Sequence, residues 1–194
     1  KDFQYGDPYN LVTFADNHDM QRIFSLMGEN MDLYKMALTI ILTTRGIPCI
    51  LYGTEIAMPS TENHGELRKD FPGGWDDDSK NAFYDFGLNK TESEAKNFMK
   101  TLLNWRKSSN AIGKGKLIHF PVTDGLYVYF RNYKEDIVMV VINNLDQRED
   151  LDPELYKDVI GGKKKAIEIF DENAYSLRKK ISIYPKTANI FQIK

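Results

Sequence analysis

The run LVTFADNHDMQR, Leu11 to Arg22, sets four residues suited to a buried strand directly before a polar cluster of Asp16, Asn17, His18 and Asp19. No glycine or proline intervenes to bend the chain away, so a strand delivers four hydrogen-bonding side chains to one place. In a barrel of alternating strands and helices that place is the C-terminal mouth, where active sites are built. Taken alone, the cluster reads equally as a polar turn in which Asp16 and Asn17 bond to nearby backbone.

Working outward, Lys1–Asn10 is polar and turn-rich and leads into this strand. Downstream, apolar residues at Leu33, Met36, Ala37, Ile40, Ile41 and Thr44 recur at the spacing of one helical face. Asn30 is the expected N-cap and Gly46 the expected stop. Cys49–Tyr52 then reads as a buried parallel strand, giving a strand–helix–strand unit.

Gly53–Thr91 is a long connection rich in glycine, aspartate and aromatic residues, and its aromatic content argues against disorder. Thr91 and Glu94 have the spacing of a capping box. Ala95, Phe98, Met99, Leu102 and Leu103 line a helix that ends near Ser109. Beyond it Gly113 and Gly115 break the helical period, and short β-rich runs follow. Leu126–Asn132, Ile137–Ile142, Ala166–Phe170, Ile181–Tyr184 and Ile190–Ile193 are expected to form an antiparallel sandwich, with a domain boundary near Gly113. The Gly161–Lys165 stretch reads as a solvated turn rather than a basic binding patch, and there is no internal repeat.

Composition narrows the partners. The chain has 194 residues, 42% hydrophobic and 28% charged, enough for one large or two small domains. With 26 Lys and Arg against 28 Asp and Glu, a net charge of -2 gives no electrostatic case for nucleic acid or an anionic membrane. A neutral ligand such as a sugar suits that balance, and 11 Tyr, 11 Phe and 2 Trp can fill a core and still leave rings for stacking. The single cysteine, Cys49, is expected to be a small buried hydrophobe, and one thiol allows no disulfide within the chain. That fits a cytoplasmic or a periplasmic setting alike. No apolar stretch is long enough to span a bilayer. The start on Lys1, without Met or a leader, is what a trimmed or partial sequence would show.

Two ordered motifs give these residues a family likeness. FADNHD resembles the fourth short conserved region of the α-amylase superfamily of glycoside hydrolases, at the end of the seventh barrel strand. Gly46–Met58, GIPCILYGTEIAM, resembles the eighth-strand segment with its Tyr-Gly-x-Glu. Arg68–Trp75, RKDFPGGW, with Asn81-Ala82-Phe83, is most similar to the neopullulanase and cyclomaltodextrinase branch of periplasmic starch-utilisation type. The likeness spans the chain, with weak motif content after about residue 110. It implies the last two βα units of a TIM (β/α)8 barrel over residues 1–112 and a C-terminal β-sandwich over 113–194.

By the same resemblance the parent enzyme is a retaining hydrolase of α-1,4-glucans, cyclodextrins or pullulan, periplasmic or secreted. Asp19 matches the carboxylate that stabilises the transition state, and His18 a group that bonds sugar hydroxyls. Asn17, Arg68 and Trp75 complete the expected substrate contacts, although Asn17, with Asp16, also suits holding the turn in shape. His64 and Glu66 are either distant sugar contacts or solvated. Glu55 occupies a structural position in the family and is not assigned as the acid, while His119 has no expected role.

No cofactor is expected; some family members bind calcium, but no site is identified here. The family's nucleophile motif, Gly-x-Arg-x-Asp, and its acid motif do not occur in these residues. A full barrel needs about 250 residues, so the chain is expected to be a C-terminal fragment, inactive alone. Such a fragment is expected to pair with the missing N-terminal barrel segments or to self-associate. The rival readings are a transglycosylase or α-glucosidase of the same superfamily, a non-catalytic carbohydrate-binding or scaffold module, or a coincidental α+β protein.

Overall fold

A computed structural model describes residues 2–194. Two compact units emerge, one running to Ile41 and resuming over Gly46–Thr101, the other comprising Leu42–Arg45 and Leu102–Lys194. In chain order the first holds β1 (Val12–Thr13), α1 (Ile23–Leu26), most of α2 (Met31–Thr43), β2 (Ile47–Pro48), α3 (His64–Leu67) and the first part of α4 (Lys90–Ser108). The second holds α5 (Asn110–Lys114), β3 (Lys116–His119), β4 (Leu126–Tyr133), β5 (Asp136–Asn143), β6 (Glu149–Leu151), α6 (Lys157–Ile160), β7 (Lys165–Glu168), β8 (Ala174–Ser176), β9 (Ile181–Ile183) and β10 (Thr187–Ile193). No helix among the described residues is long and apolar enough to cross a membrane.

In the first unit β1 and β2 pair in parallel, Val12 opposite Ile47 and Thr13 opposite Pro48. Backbone bonds from Ile47 to Leu11 and from Cys49 to Thr13, both 2.8 Å, extend the pair. The expected strand–helix–strand order is therefore present, but two details differ. The strand at Leu11–Phe14 is not buried: Val12 is 60% and Phe14 47% exposed, and among the described residues the sheet consists of β1 and β2 alone. Cys49–Tyr52 is not a strand either. The bond from Cys49 to Thr13 is the last of the ladder, so regular strand ends at Pro48, and Cys49 lies exposed.

Helix α2 begins where expected, with the Asn30 side chain accepting from the backbone N–H of Asp32 and Leu33 at 2.9 and 3.1 Å. Its buried face is turned from the expected one. Tyr34 and Leu38 are fully buried with Met36, whereas Leu33, Ala37, Ile40 and Ile41 are half-buried. Tyr34 sets the rotation: its ring packs edge-on against Phe24, and its hydroxyl donates to the Thr54 carbonyl at 2.5 Å. Gly46 turns the chain back to β2 at φ 109°, where a Cβ would sit 2.8 Å from the Leu11 carbonyl oxygen.

The start of α4 departs from the expected cap. Asn89 and Glu92 form the capping box, each accepting the other's backbone N–H at 2.9 and 2.8 Å. The helix starts one residue before Thr91, and Glu94 instead pairs with Lys35 at 2.6 Å.

The second unit is antiparallel. Its six-stranded sheet runs β3-β4-β5-β10-β7-β8, and a two-stranded sheet pairs β6 with β9. Leu126, Val128 and Phe130 of β4, and Ile137, Met139 and Val141 of β5, share one core with Leu151, Ile181 and Ile183 of the smaller sheet. This is the expected sandwich. The other face of the large sheet is also buried at Tyr129, Val138, Val140 and Ile190. Gly113 does not break the helical pattern; it lies inside α5, capped by Ser109. Arg131, buried on β4, donates to the carbonyls of Thr43, Thr44, Ile112 and Gly115, satisfying the ends of α2 and α5 at once.

Candidate functional site

At the end of β1 the chain must place a polar cluster beside an apolar core, and Asp16 does this by turning inward. It is 3% exposed, and its Oδ2 accepts from the Ile23 backbone N–H at 2.8 Å and the Thr54 hydroxyl at 3.2 Å. One carboxylate thus clasps the start of α1 to the segment after β2. Burial pushes its carboxyl above the ordinary aspartate range, opposed by those hydrogen bonds and by the charge of Arg22.

With Asp16 fixed, the next residues are thrown outward. The Asn17 Oδ1 accepts from the Asp19 N–H at 2.8 Å, and the Asn17 carbonyl accepts from Met20, closing a tight turn. His18 and Asp19 stand at its tip with side chains 63% and 57% exposed. The Asp19 Oδ1 accepts from Arg68 Nη2 at 2.6 Å, and its Oδ2 lies 3.2 Å from His18 Nε2. Three residues separated by up to 50 positions meet on one carboxylate.

Arg68 is delivered by local structure. It follows the short helix α3, capped by Asn63 and anchored by buried Leu67. The next carbonyl, of Lys69, accepts from the Tyr52 hydroxyl at 2.9 Å. Tyr52 is itself gripped by buried Arg22, whose guanidinium lies 4.9 Å from the ring centroid and donates to the Tyr52 carbonyl at 2.6 Å. The Arg22 backbone N–H donates to Ser60. Arg22, Tyr52 and Ser60 are supports that sequence reasoning missed; the available signal was that Arg22 closes the polar run and Tyr52 opens the Tyr-Gly-x-Glu segment.

Of the residues singled out from sequence, the structure joins His18, Asp19 and Arg68. Asn17 spends its side-chain oxygen on the turn. Trp75 sits further along the loop, where its indole donates to Asp70 at 3.0 Å. The Asp78 carboxylate accepts the backbone N–H of Gly73 and Trp75 at 2.6 and 3.1 Å, which holds its carboxyl below the usual range. His64 opens α3, and Glu66 pairs with Lys69 at 3.7 Å. Glu55 lies in the helical turn Thr54–Ile56. His119 ends β3 opposite Tyr129. Among the described residues, no group of three or more His, Cys, Asp or Glu side chains could hold a metal ion.

An oriented, solvent-facing carboxylate with a histidine and an arginine can bond hydroxyl groups and stabilise positive charge. Residues 4–120 match the alpha amylase catalytic domain, and residues 117–192 match the cyclo-malto-dextrinase C-terminal domain. The chain belongs to the α-amylase family. It is 34% identical over 134 residues to a cyclomaltodextrin glucanotransferase of Paenibacillus macerans, covering 69% of this chain and 16% of that enzyme. A second cyclomaltodextrin glucanotransferase, of Thermoanaerobacterium thermosulfurigenes, is 29% identical over 192 residues, covering 95% of this chain and 24% of that one. The chain therefore spans between about a sixth and a quarter of the length of these relatives. In three dimensions it superposes on the α-amylase of Geobacillus thermoleovorans, solved with acarbose, at a TM-score of 0.75 and 22% identity, over 98% of this chain and 40% of that one. That likeness is of fold: the last βα units of the family's barrel followed by its antiparallel C-terminal domain.

Proposed function

We propose that the protein containing these residues is a retaining enzyme of α-glucan chemistry, and that Asp19 is the carboxylate that stabilises its transition state. The observation that carries this reading is the Asp19 carboxylate at the end of a barrel strand, held by Arg68 at 2.6 Å and flanked by His18 at 3.2 Å. Glycoside cleavage passes through an oxocarbenium-like state with positive charge on the sugar ring. A carboxylate fixed before the reaction needs no reorganisation as that charge develops. Arg68 occupies one oxygen and orients the other; His18 shares that second oxygen and offers a ring nitrogen to a sugar hydroxyl. Trp75 supplies a ring for stacking further out, and Asn17 acts by shaping the turn.

The nucleophile and the proton donor are assigned to barrel strands outside residues 1–194, so these residues alone turn over no maltooligosaccharide. Exposed Val12, Phe14 and Ile47 on the β1–β2 pair are where those strands, or a second copy, would add. We place the boundary between barrel and sandwich near Gly113 and the parent enzyme in the periplasm or outside the cell.

The RKDFPGGW segment and the cyclo-malto-dextrinase match favour a neopullulanase or cyclomaltodextrinase acting on cyclodextrins, pullulan, starch or maltooligosaccharides. The glucanotransferase relatives favour transfer to a sugar acceptor over hydrolysis. Product analysis with maltoheptaose separates these two outcomes. The test of the shared reading is Asp19→Asn in the intact protein. A fall in kcat of at least about a hundredfold, with an unchanged melting profile, is expected. Undiminished turnover would overturn the role given to Asp19 and leave these residues as a carbohydrate-binding or scaffold portion of the enzyme.

A further inference from the structure

The ion pair that orients Asp19 is too open to hold itself. The Arg68 and Asp19 side chains are 47% and 57% exposed, and a pair that wet is screened by water and fixes little geometry on its own. The backbone that carries Arg68 must therefore be held from elsewhere. On one side of it Leu67 is buried; on the other the Lys69 carbonyl accepts from the Tyr52 hydroxyl at 2.9 Å. Tyr52 is fixed in turn by Arg22, whose Nη1 donates to the Tyr52 carbonyl at 2.6 Å and whose guanidinium lies 4.9 Å from the Tyr52 ring centroid. Arg22 is 1% exposed, its backbone N–H donates to Ser60 Oγ at 3.0 Å, and the Ser60 N–H donates to Ser25 Oγ at 2.9 Å. Because Arg22 closes the same polar run that holds Asp19, these contacts form a circuit. It runs from Asp19 along the chain to Arg22, across to Tyr52, across again to Lys69, and from Arg68 back to Asp19 at 2.6 Å.

We propose that Tyr52 is a positioning residue for the reaction: its hydroxyl, through the Lys69 carbonyl, sets where Arg68 holds the Asp19 carboxylate. The inference rests on the function proposed above and adds to it a residue that acts on the carboxylate at one remove. Among the links of the circuit, the hydroxyl bond is the one that a change of a single atom removes. In Tyr52→Phe the ring beneath Arg22 and the backbone carbonyl that Arg22 bonds both remain. Arg68 then loses the anchor on its Lys69 side, and its guanidinium samples positions that turn the carboxylate away from the developing charge. A carboxylate that must reorganise during the reaction stabilises the transition state less. The loss is confined to the transition state, so it falls on kcat and leaves KM in place.

The test is a double-substitution cycle in the intact protein with maltoheptaose as substrate. Tyr52→Phe is expected to lower kcat about fivefold, with KM and the melting profile unchanged. Arg68→Ala is expected to lower kcat further, and adding Tyr52→Phe to it is expected to change nothing, because the hydroxyl then has no arginine to place. A hydroxyl with a merely structural role would lower the melting temperature and act equally in both backgrounds. That additive result would overturn the proposal, as would an unchanged kcat or a change in KM alone, with the function proposed above still standing. Undiminished turnover in Asp19→Asn would remove the role given to Asp19 and the positioning role with it.

Discussion

Asp16 and Asp19 are three positions apart and are used in opposite ways. Asp16 is buried and holds α1 to the segment after β2; Asp19 is exposed and held from outside by Arg68. The difference carries a pH signature. Burial raises the folded-state pKa of Asp16 above the ordinary value, so between the two values the folded state binds the extra proton. Its contribution to stability is fully present below about pH 3.8 and is lost as pH rises through the raised pKa. Urea unfolding from pH 3.5 to 7 is therefore expected to show wild type losing stability relative to Asp16→Asn as pH rises. A constant difference between the two would contradict the assignment. The sequence supplied both carboxylates, but which one faces water was legible only as far as the motif likeness marked Asp19. Burial of Asp16 depends on Thr54 and Ile23, whose positions come from tertiary structure.

Among the elements, α4 shows how a near-correct local signal is displaced. Thr91 and Glu94 satisfy the spacing of a capping box, but so do Asn89 and Glu92, and the structure uses the latter. Leu88 before the cap packs into the loop core and Lys80 pairs with Glu92 at 2.7 Å, which fixes the helix start two residues earlier than the sequence suggested. Asn89→Ala is expected to cost about 1 kcal/mol, while Thr91→Ala changes stability by no more than a few tenths. Equal effects in thermal or urea unfolding would contradict this cap. Helix α2 teaches a related lesson: its length and N-cap follow from Asn30 and the apolar spacing, but Tyr34, an amphipathic residue, chose the buried face by bonding Thr54. The β-strands of the second unit were the most legible elements, because β4 and β5 carry near-continuous apolar and aromatic runs and the structure buries both faces of each.

At the scale of the whole molecule, the ordered pair of motifs announced both barrel units, while the environment of the first unit's strands was not legible. Leu11–Phe14 and Cys49–Tyr52 carry the composition of buried strands, yet β1 and β2 are each two residues long and leave Val12 and Ile47 more than half exposed. Composition records the surroundings a segment is suited to, whereas exposure depends on what else is packed there. The second unit has no such discrepancy, since its two sheets bury one another around Phe130, Met139 and Phe191. The site itself was partly legible: the sequence named His18, Asp19 and Arg68 but could not show that Arg22, Tyr52 and Ser60 fix the loop that brings Arg68 to the carboxylate.

The central claim, that Asp19 meets the sugar at the reacting centre, is tested most directly by a crystal structure of the intact protein with a bound maltooligosaccharide. The account predicts sugar hydroxyls within hydrogen-bonding distance of the free Asp19 oxygen and of His18, with Arg68 still paired to the same carboxylate. A glucan bound only elsewhere, with the Asp19–Arg68 pair facing solvent, would contradict it.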